Sequence, residues 1–442
     1  MNEVQTIIEK VNKLIAQGVL DPATAGKFDV YSLPDKEYID KHPAKDISIE
    51  KLLNDLKKID SVYLHFGYCP SLCKVCPYPK MANKKSVEDL LVKDLSLNLK
   101  FVTGRKIKSV LFGGGTPNTM DIETFKDTIK LLNRFNLSEF EQIAIEIHPG
   151  LEYKKYIDVL IDNFDSEKIH VSLGLQSTID EKIKFWRAAE NEKPFLYTNQ
   201  QVNEIIKDLI SNRITQINVD ILLASFDDWE KEKSGLEKLI NLGVNKFTIY
   251  PVYGKYMQGQ TIQKWNIEEL IKIRYDSRDF FEKYNVINSI NPNYFSSKDT
   301  TDNLESISQF KGETLLAVGL GSRGKIRFPD KDVIYENFRD PKKYKKLLEK
   351  NNLPIHKIYQ QVDNLVVSNE IRELVFKNSK VSHDTYKKIC KLAGKNKILI
   401  EMMFKELFLE KEDYHILSKE GGYVVEMIQA SIFNLIEKNI TV

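Results

Sequence analysis

Apolar and polar positions alternate along the chain in two registers, one with helical and one with strand spacing. Val4, Ile7, Ile8, Val11 and Ile15 recur at helical spacing over residues 3–17 and end at Gly18. A Pro- and charge-rich stretch through KHPAK follows, then a helical segment, ISIEKLLNDLKKI, so residues 1–58 form an N-terminal arm. From there short apolar runs alternate with amphipathic stretches. VYLHF, IKSVLF (107–112), QIAIEI (142–147), KIHVSLGL, QINVDILL and KFTIYPV (246–252) have the length and composition of strands. Between them VEDLLVKDLSLNLKF, residues 121–134, residues 151–163, VNEIIKDLI and WEKEKSGLEKLINL have helical periodicity, the first opened by Ser86 with Asp89 as a capping box. Six strand–helix repeats in succession predict an α/β fold of parallel βαβ units, as a barrel or an open doubly wound sheet.

The repeats occupy residues 59–310, ending in a helix at 266–284 and a polar loop, NPNYFSSKDTTDN. Residues 311–361 read as a connecting segment, with the Gly-rich turn VGLGSRG at 318–324 and the charged helix DPKKYKKLLEK. Residues 362–442 read as a C-terminal cap of short helices, helical or winged-helix-like.

Composition narrows the class without naming a partner. The 442 residues allow two or three domains. A net charge of +2, from 65 Lys and Arg against 63 Asp and Glu, gives no footprint of a nucleic-acid binder. No stretch approaches the roughly eighteen apolar residues of a membrane span, and the start lacks a signal-peptide core, so a cytoplasmic location is expected.

The unusual residues cluster at the C-terminal ends of the predicted strands, the side on which a parallel barrel collects its functional groups. After the first strand come Cys69, Cys73 and Cys76, three of the four cysteines in the chain, spaced C-x3-C-x2-C. Three thiolates in one loop suit three irons of a 4Fe-4S cubane, leaving one iron open to a small molecule. A zinc site is the second reading and needs a fourth ligand such as His65. A disulfide framework requires an even count and an export signal. GGGTP (113–117) follows the second strand, Glu146 and His148 stand at the third, Gln176 at the fourth, Asp220 in the fifth and Tyr250 at the sixth. Cys390 lies in a periodic helical stretch and is expected to be a small buried hydrophobe.

These motifs agree with one family. VYLHFGYCPSLCKVC, FGGGTP, EIHP, SLGLQS and NVDILL, in that order, followed by GETLLAVGLGS, KIYQQVD and ILSKEGGYVVEMI, resemble the oxygen-independent coproporphyrinogen III oxidase (HemN-like) family of radical S-adenosylmethionine (SAM) enzymes. The resemblance runs from about residue 55 to the tail. It implies a partial (β/α)6 TIM-like radical SAM barrel with an N-terminal arm and a C-terminal helical or winged-helix-like domain. Cys69, Cys73 and Cys76 would hold the 4Fe-4S cluster and so carry the catalysis, and SAM would chelate the open iron. Gly113, Gly114, Gly115 and Thr116 would receive the SAM amino group, and Glu146, Gln176 and Asp220 would contact SAM. Arg187 stands one position from the arginine expected to hold the SAM carboxylate. Tyr63 and His65 match residues beneath the cluster, and Met81, Phe112 and Tyr250 match the pocket lining.

The implied reaction is hydrogen abstraction by a 5′-deoxyadenosyl radical from a tetrapyrrole-like or other planar substrate, with flavodoxin or ferredoxin as electron donor. Methyl or methylene transfer with a second SAM, and a heme-binding chaperone-like role, are the alternatives. The chain departs from the family at Val75, where an aromatic is usual, and at NLESISQFKG, where heme-carrying relatives have a histidine segment.

Overall fold

A computed structural model describes residues 3–24, 47–70, 73, 76, 83–187, 196–252, 266–286, 293–297, 300, 313–328, 332–361, 370–371, 373–375 and 380–440. Val75, Met81 and the NLESISQFKG segment lie outside the described residues. The fold is mixed α/β around one large sheet. Strands β1 (Ser61–Phe66), β2 (Ser109–Gly114), β3 (Gln142–Ile147), β4 (Ile169–Gln176), β5 (Gln216–Leu223) and β6 (Lys246–Pro251) pair in sequence order, each parallel to the next. These are the six expected strands, and helices join them. Their core positions are Val, Ile, Leu and Phe at alternate residues, such as Val62, Leu64 and Phe66 on β1 and Ile143, Ile145 and Ile147 on β3, so one face of the strands packs into the core shared with the helices.

The sheet extends beyond those six. β7 (Tyr294–Ser296) pairs antiparallel with β6, and β8 (Leu315–Gly319) pairs parallel with β1 on its other side. β9 (Arg323–Arg327), β10 (Asp332–Asn337) and β11 (Ile355–Gln361) continue from β8 as an antiparallel meander, so the open sheet runs β11-β10-β9-β8-β1-β2-β3-β4-β5-β6-β7. Residues 311–361, expected to connect two parts, therefore carry four strands of the main sheet.

Helix starts follow capping chemistry. Asp121 accepts from the amides of Glu123 and Thr124 and opens the helix Ile122–Leu132 where expected. The helix before it, Lys84–Val102, starts earlier than the Ser86 capping box suggested. Asn83 takes the cap position and accepts from Ser86 N, which places Ser86 inside the first turn.

A second core lies apart from the sheet. Helix α1 (Glu3–Ala16) sends Ile7, Ile8, Val11 and Leu14 into a cluster with Ile389, Met403, Phe404 and Ile428 of the C-terminal region, and with Leu270 and Ile271 of the helix Ile267–Lys283. The first helix of the arm is thus part of the C-terminal core. The helix Ile49–Asp55 instead packs in the core of the sheet. The C-terminal region holds a three-stranded antiparallel sheet, β12 (Lys380–Ser382), β14 (Tyr414–Leu417) and β13 (Phe408–Glu410), with the helices His383–Ala393, Lys397–Leu407 and Val425–Ile440, a winged-helix-like arrangement. Among the described residues no helix is long and apolar enough to cross a membrane.

Candidate active site

Because β1 to β6 run parallel, their C-terminal ends share one rim. On β1, Tyr63 and His65 alternate onto one face, and Tyr63 Oη lies 2.9 Å from His65 Nδ1. Past β1 the backbone is tied to the loop after β2: Gly115 N donates to Phe66 O and Thr116 N to Tyr68 O, each at 2.8 Å. That tie carries Cys69 to Thr116, with Sγ and Oγ1 2.9 Å apart. All three loop cysteines are half-buried and unbridged, whereas Cys390 is buried in the C-terminal core.

The glycines of the second loop are demanded by space. A Cβ on Gly113 would stand 2.9 Å from Glu146 Oε1 and 3.1 Å from Tyr63 Cε2. Gly114 has φ +101°, and a Cβ there would meet His65 Nδ1 at 2.5 Å. A Cβ on Gly115 would run into the carbonyls of Phe66 and Tyr68. Free of side chains, the loop admits Glu146, whose Oε2 accepts from Gly114 N at 2.9 Å. Gly174 plays the same part on β4. A Cβ there would lie 3.1 Å from Gln176 Nε2 and 3.3 Å from Arg187 Nη2, so its absence lets both side chains cross the strand. β4 ends with its register shifted between Leu173 and Gln176, and Gln176 takes φ +69°.

Arg187 is the electrostatic centre of the rim. It ends the helix Asp180–Arg187 and is buried. Its Nη1 donates to Cys73 Sγ at 3.3 Å, and its Nη2 donates to Gly174 O at 2.5 Å and Tyr197 Oη at 3.3 Å. Tyr197 Oη in turn donates to Gly174 O and Leu175 O at 2.8 and 2.7 Å, closing the clamp. Burial alone would lower the Arg187 pKa; Tyr197 and Cys73 outweigh it and the pKa rises. Arg187 Nε, buried, meets no hydrogen-bond partner among the described residues.

The same charge reaches two further groups. Burial first, then Arg187, pushes His148 down to about 3, so the ring is neutral. Its Nδ1 accepts from Gly150 N at 3.0 Å, which leaves the proton on Nε2. That buried Nε2 also meets no partner among the described residues. Asp220 is pushed up to about 6 by burial, against hydrogen bonds from Asn218, Ser172 and Thr248 and the charge of Arg187. Asn218 Nδ2 is 3.0 Å from Asp220 Oδ1, and Ser172 Oγ is 3.3 Å from Oδ2. Beyond Asp220 the rim turns apolar, with Trp186, Leu222 and Val252 buried together and Ala224 and Tyr250 packed on them.

The structure thus joins Cys69 to Thr116, Cys73 to Arg187, and Gly114 to Glu146, with Tyr63 packed at Gly113. Gln176 reaches the Arg187 side through Gly174. Phe112 faces the core instead of the pocket, its ring tilted against that of Phe125 with centroids 5.0 Å apart. Sequence reasoning missed Tyr197, Ser172 and Asn218. Asn218 was legible as the same-face neighbour of Asp220 in NVDILL; Tyr197 carries no local signal, since folding alone brings it to Arg187. Three thiols in one loop, a side-chain-free cradle and buried unpaired donors at Arg187 and His148 fit a cluster with a chelated amino acid group.

No protein-family model matches the chain. Curated relatives include the heme chaperone HemW of Buchnera aphidicola, 28% identical over 175 residues that make up 37% of this chain and 45% of the relative. The mitochondrial radical S-adenosyl methionine domain-containing protein 1 of Dictyostelium discoideum is 27% identical over 192 residues, 36% of this chain and 41% of that protein. The chain therefore spans less than half the length of these relatives. Among solved structures, coproporphyrinogen III oxidase (HemN) of Escherichia coli, a radical SAM enzyme, superposes with a TM-score of 0.69 at 15% identity, covering 88% of this chain and 94% of that one. The fold is that of HemN.

Proposed function

We propose that the chain is a HemN-like radical SAM enzyme, one that cleaves SAM reductively and abstracts hydrogen from a planar, tetrapyrrole-like substrate. Cys69, Cys73 and Cys76 hold a 4Fe-4S cluster through three irons and leave the fourth for SAM. When bound, the cluster supplies the electron, drawn from a flavodoxin or ferredoxin, that splits SAM into methionine and the 5′-deoxyadenosyl radical.

The observation that carries this reading is Arg187. A buried guanidinium 3.3 Å from Cys73 Sγ, with an unpartnered Nε, sets a fixed positive charge and a spare donor beside the cluster ligands. A carboxylate bound next to the open iron would satisfy both. Glu146 and Asp220 face the opposite need, as acceptors for the SAM ammonium and ribose hydroxyls, and Gly113, Gly114, Gly115 and Thr116 offer backbone to the amino group. Burial raises Asp220 to about 6, and the donors already in place oppose that rise. Gln176 supplies an amide that can turn either face to the nucleoside. The apolar wall of Trp186, Leu222 and Val252 suits a flat substrate and keeps water from the radical.

A heme-carrying role is the second reading, favoured by the names of the HemW relatives; methyl transfer with a second SAM is the third. Anaerobic turnover against a tetrapyrrole panel, followed by mass spectrometry, separates them. Methionine and 5′-deoxyadenosine with a mass loss in the substrate support hydrogen abstraction. Added S-adenosylhomocysteine supports methyl transfer, and heme binding without SAM cleavage supports a carrier.

A further inference from the structure

The C-terminal region assembles a second constellation of metal-binding side chains, remote in sequence from the cysteine loop. In the small sheet, β14 is central: His415 lies opposite Glu410 on β13 and opposite Val381 on β12. Two residues after Val381 the chain turns into the helix His383–Ala393, whose first side chain is His383. One donor atom from each of His383, Glu410 and His415 falls within 4.8 Å of the other two.

Each member has the surroundings of a ligand. His415 is 7% exposed and wedged against the rings of Tyr386 and Phe404, with centroids at 4.7 and 5.1 Å, so its ring is fixed by packing. The His383 ring sits 4.9 Å from it, too tilted at 54° to stack flat. His383 Nε2 is buried and meets no hydrogen-bond partner among the described residues. A buried polar nitrogen left unpaired is costly, and an ion on that nitrogen removes the cost. Glu410 is exposed, so its carboxylate has room to move in and close the site.

We propose that His383, Glu410 and His415 bind one divalent transition-metal ion of the zinc class. Two imidazoles and one carboxylate, without a thiol, select zinc, nickel or iron over magnesium or calcium, which favour all-oxygen sets. Three protein ligands leave a position for water on the exposed side of Glu410. The ion would pin the β13–β14 hairpin to the start of the helix His383–Ala393.

The test uses the full-length, cluster-loaded protein, dialysed anaerobically against buffered micromolar zinc, with zinc and iron counted by plasma mass spectrometry. The expected result is one zinc per wild-type chain beyond the iron. That zinc is lost in His383→Ala and held about tenfold or more weakly in Glu410→Gln, with iron unchanged in both. Zinc should also raise the unfolding temperature of the wild type but not of His383→Ala. Wild-type protein that holds no such zinc, or two variants that bind it as tightly as wild type, would overturn the site. Because Glu410 is exposed, its variant folds whatever the fate of a change at the buried His415.

Discussion

Gly114 shows what a motif can and cannot disclose at the scale of one residue. The run GGGTP marks a loop where backbone approaches a cofactor, and from sequence a valine at Gly114 is expected to weaken SAM binding in a folded protein that keeps its cluster. The structure adds φ +101° and a collision with His65 at 2.5 Å, neither visible in the letters because both depend on β1 lying alongside. Gly114→Ala should therefore lower stability itself, by about 1–3 kcal/mol, read as a fall in the denaturant midpoint. Arg187 makes the cleaner probe of SAM. Arg187→Gln should weaken SAM binding by about tenfold or more with iron content unchanged, and Arg187→Lys should not restore it, because a single ammonium cannot reproduce the fork that reaches Cys73, Gly174 and Tyr197 together. Isothermal titration of the cluster-loaded proteins measures both. Asp94 gives a prediction with a pH sign. Burial pushes it up from 3.8 to about 6, against donors from Tyr344, Gly319 and Asn98. The native state thus takes up the proton first, so the side chain costs stability above about pH 6 and regains it as the pH falls toward 3.8. A rise of that size is worth about 3 kcal/mol. Relative to Asp94→Asn, wild-type stability should improve by up to that amount between neutral and about pH 4, measured by urea unfolding at each pH.

At the scale of elements, β1 to β6 were legible because each is a short run whose alternate positions are apolar and buried in the core, bounded by amphipathic helices. The meander β8 to β11 was not. β9 is RGKIR, which begins inside the expected Gly-rich turn at 318–324, and its arginines pair across the ladder: Arg327 lies opposite Asp332, with Nη1 to Oδ1 at 3.1 Å, and Arg323 opposite Glu336, to which it donates from Nε at 2.8 Å. Cross-strand pairing is nonlocal, so a single strand does not reveal it. Gly324 hides a similar contact, since a Cβ there would collide with the ring of Tyr335.

Over the whole molecule, the surprise is how the cap is attached. From sequence, loss of the tail leads either to a folded barrel that cleaves SAM unproductively or to aggregation. In the structure α1 shares its apolar face with the tail, and Arg274 on the helix Ile267–Lys283 forms a fully buried ion pair with Glu426 at 2.6 Å while donating to Tyr423 O at 2.6 Å. Deleting residues 362–442 should expose Ile7, Ile8, Val11, Leu270 and Ile271 and strand a buried charge, so the truncated chain is expected to aggregate, as seen by size-exclusion chromatography. Arg274→Met alone should cost about 3–5 kcal/mol by removing the buried ion pair with Glu426, and Arg274→Met with Glu426→Leu should recover most of it. The central claim concerns the other end of the molecule and is tested most directly by iron and sulfide analysis, with electron paramagnetic resonance, of anaerobically reconstituted wild type and Cys73→Ala. The wild type should hold about four iron and four sulfide and give a reducible cluster signal that changes when SAM is added, whereas Cys73→Ala should lose both the cluster and SAM cleavage. A full, redox-active cluster in Cys73→Ala, or a wild type that holds zinc in place of iron, would contradict the account.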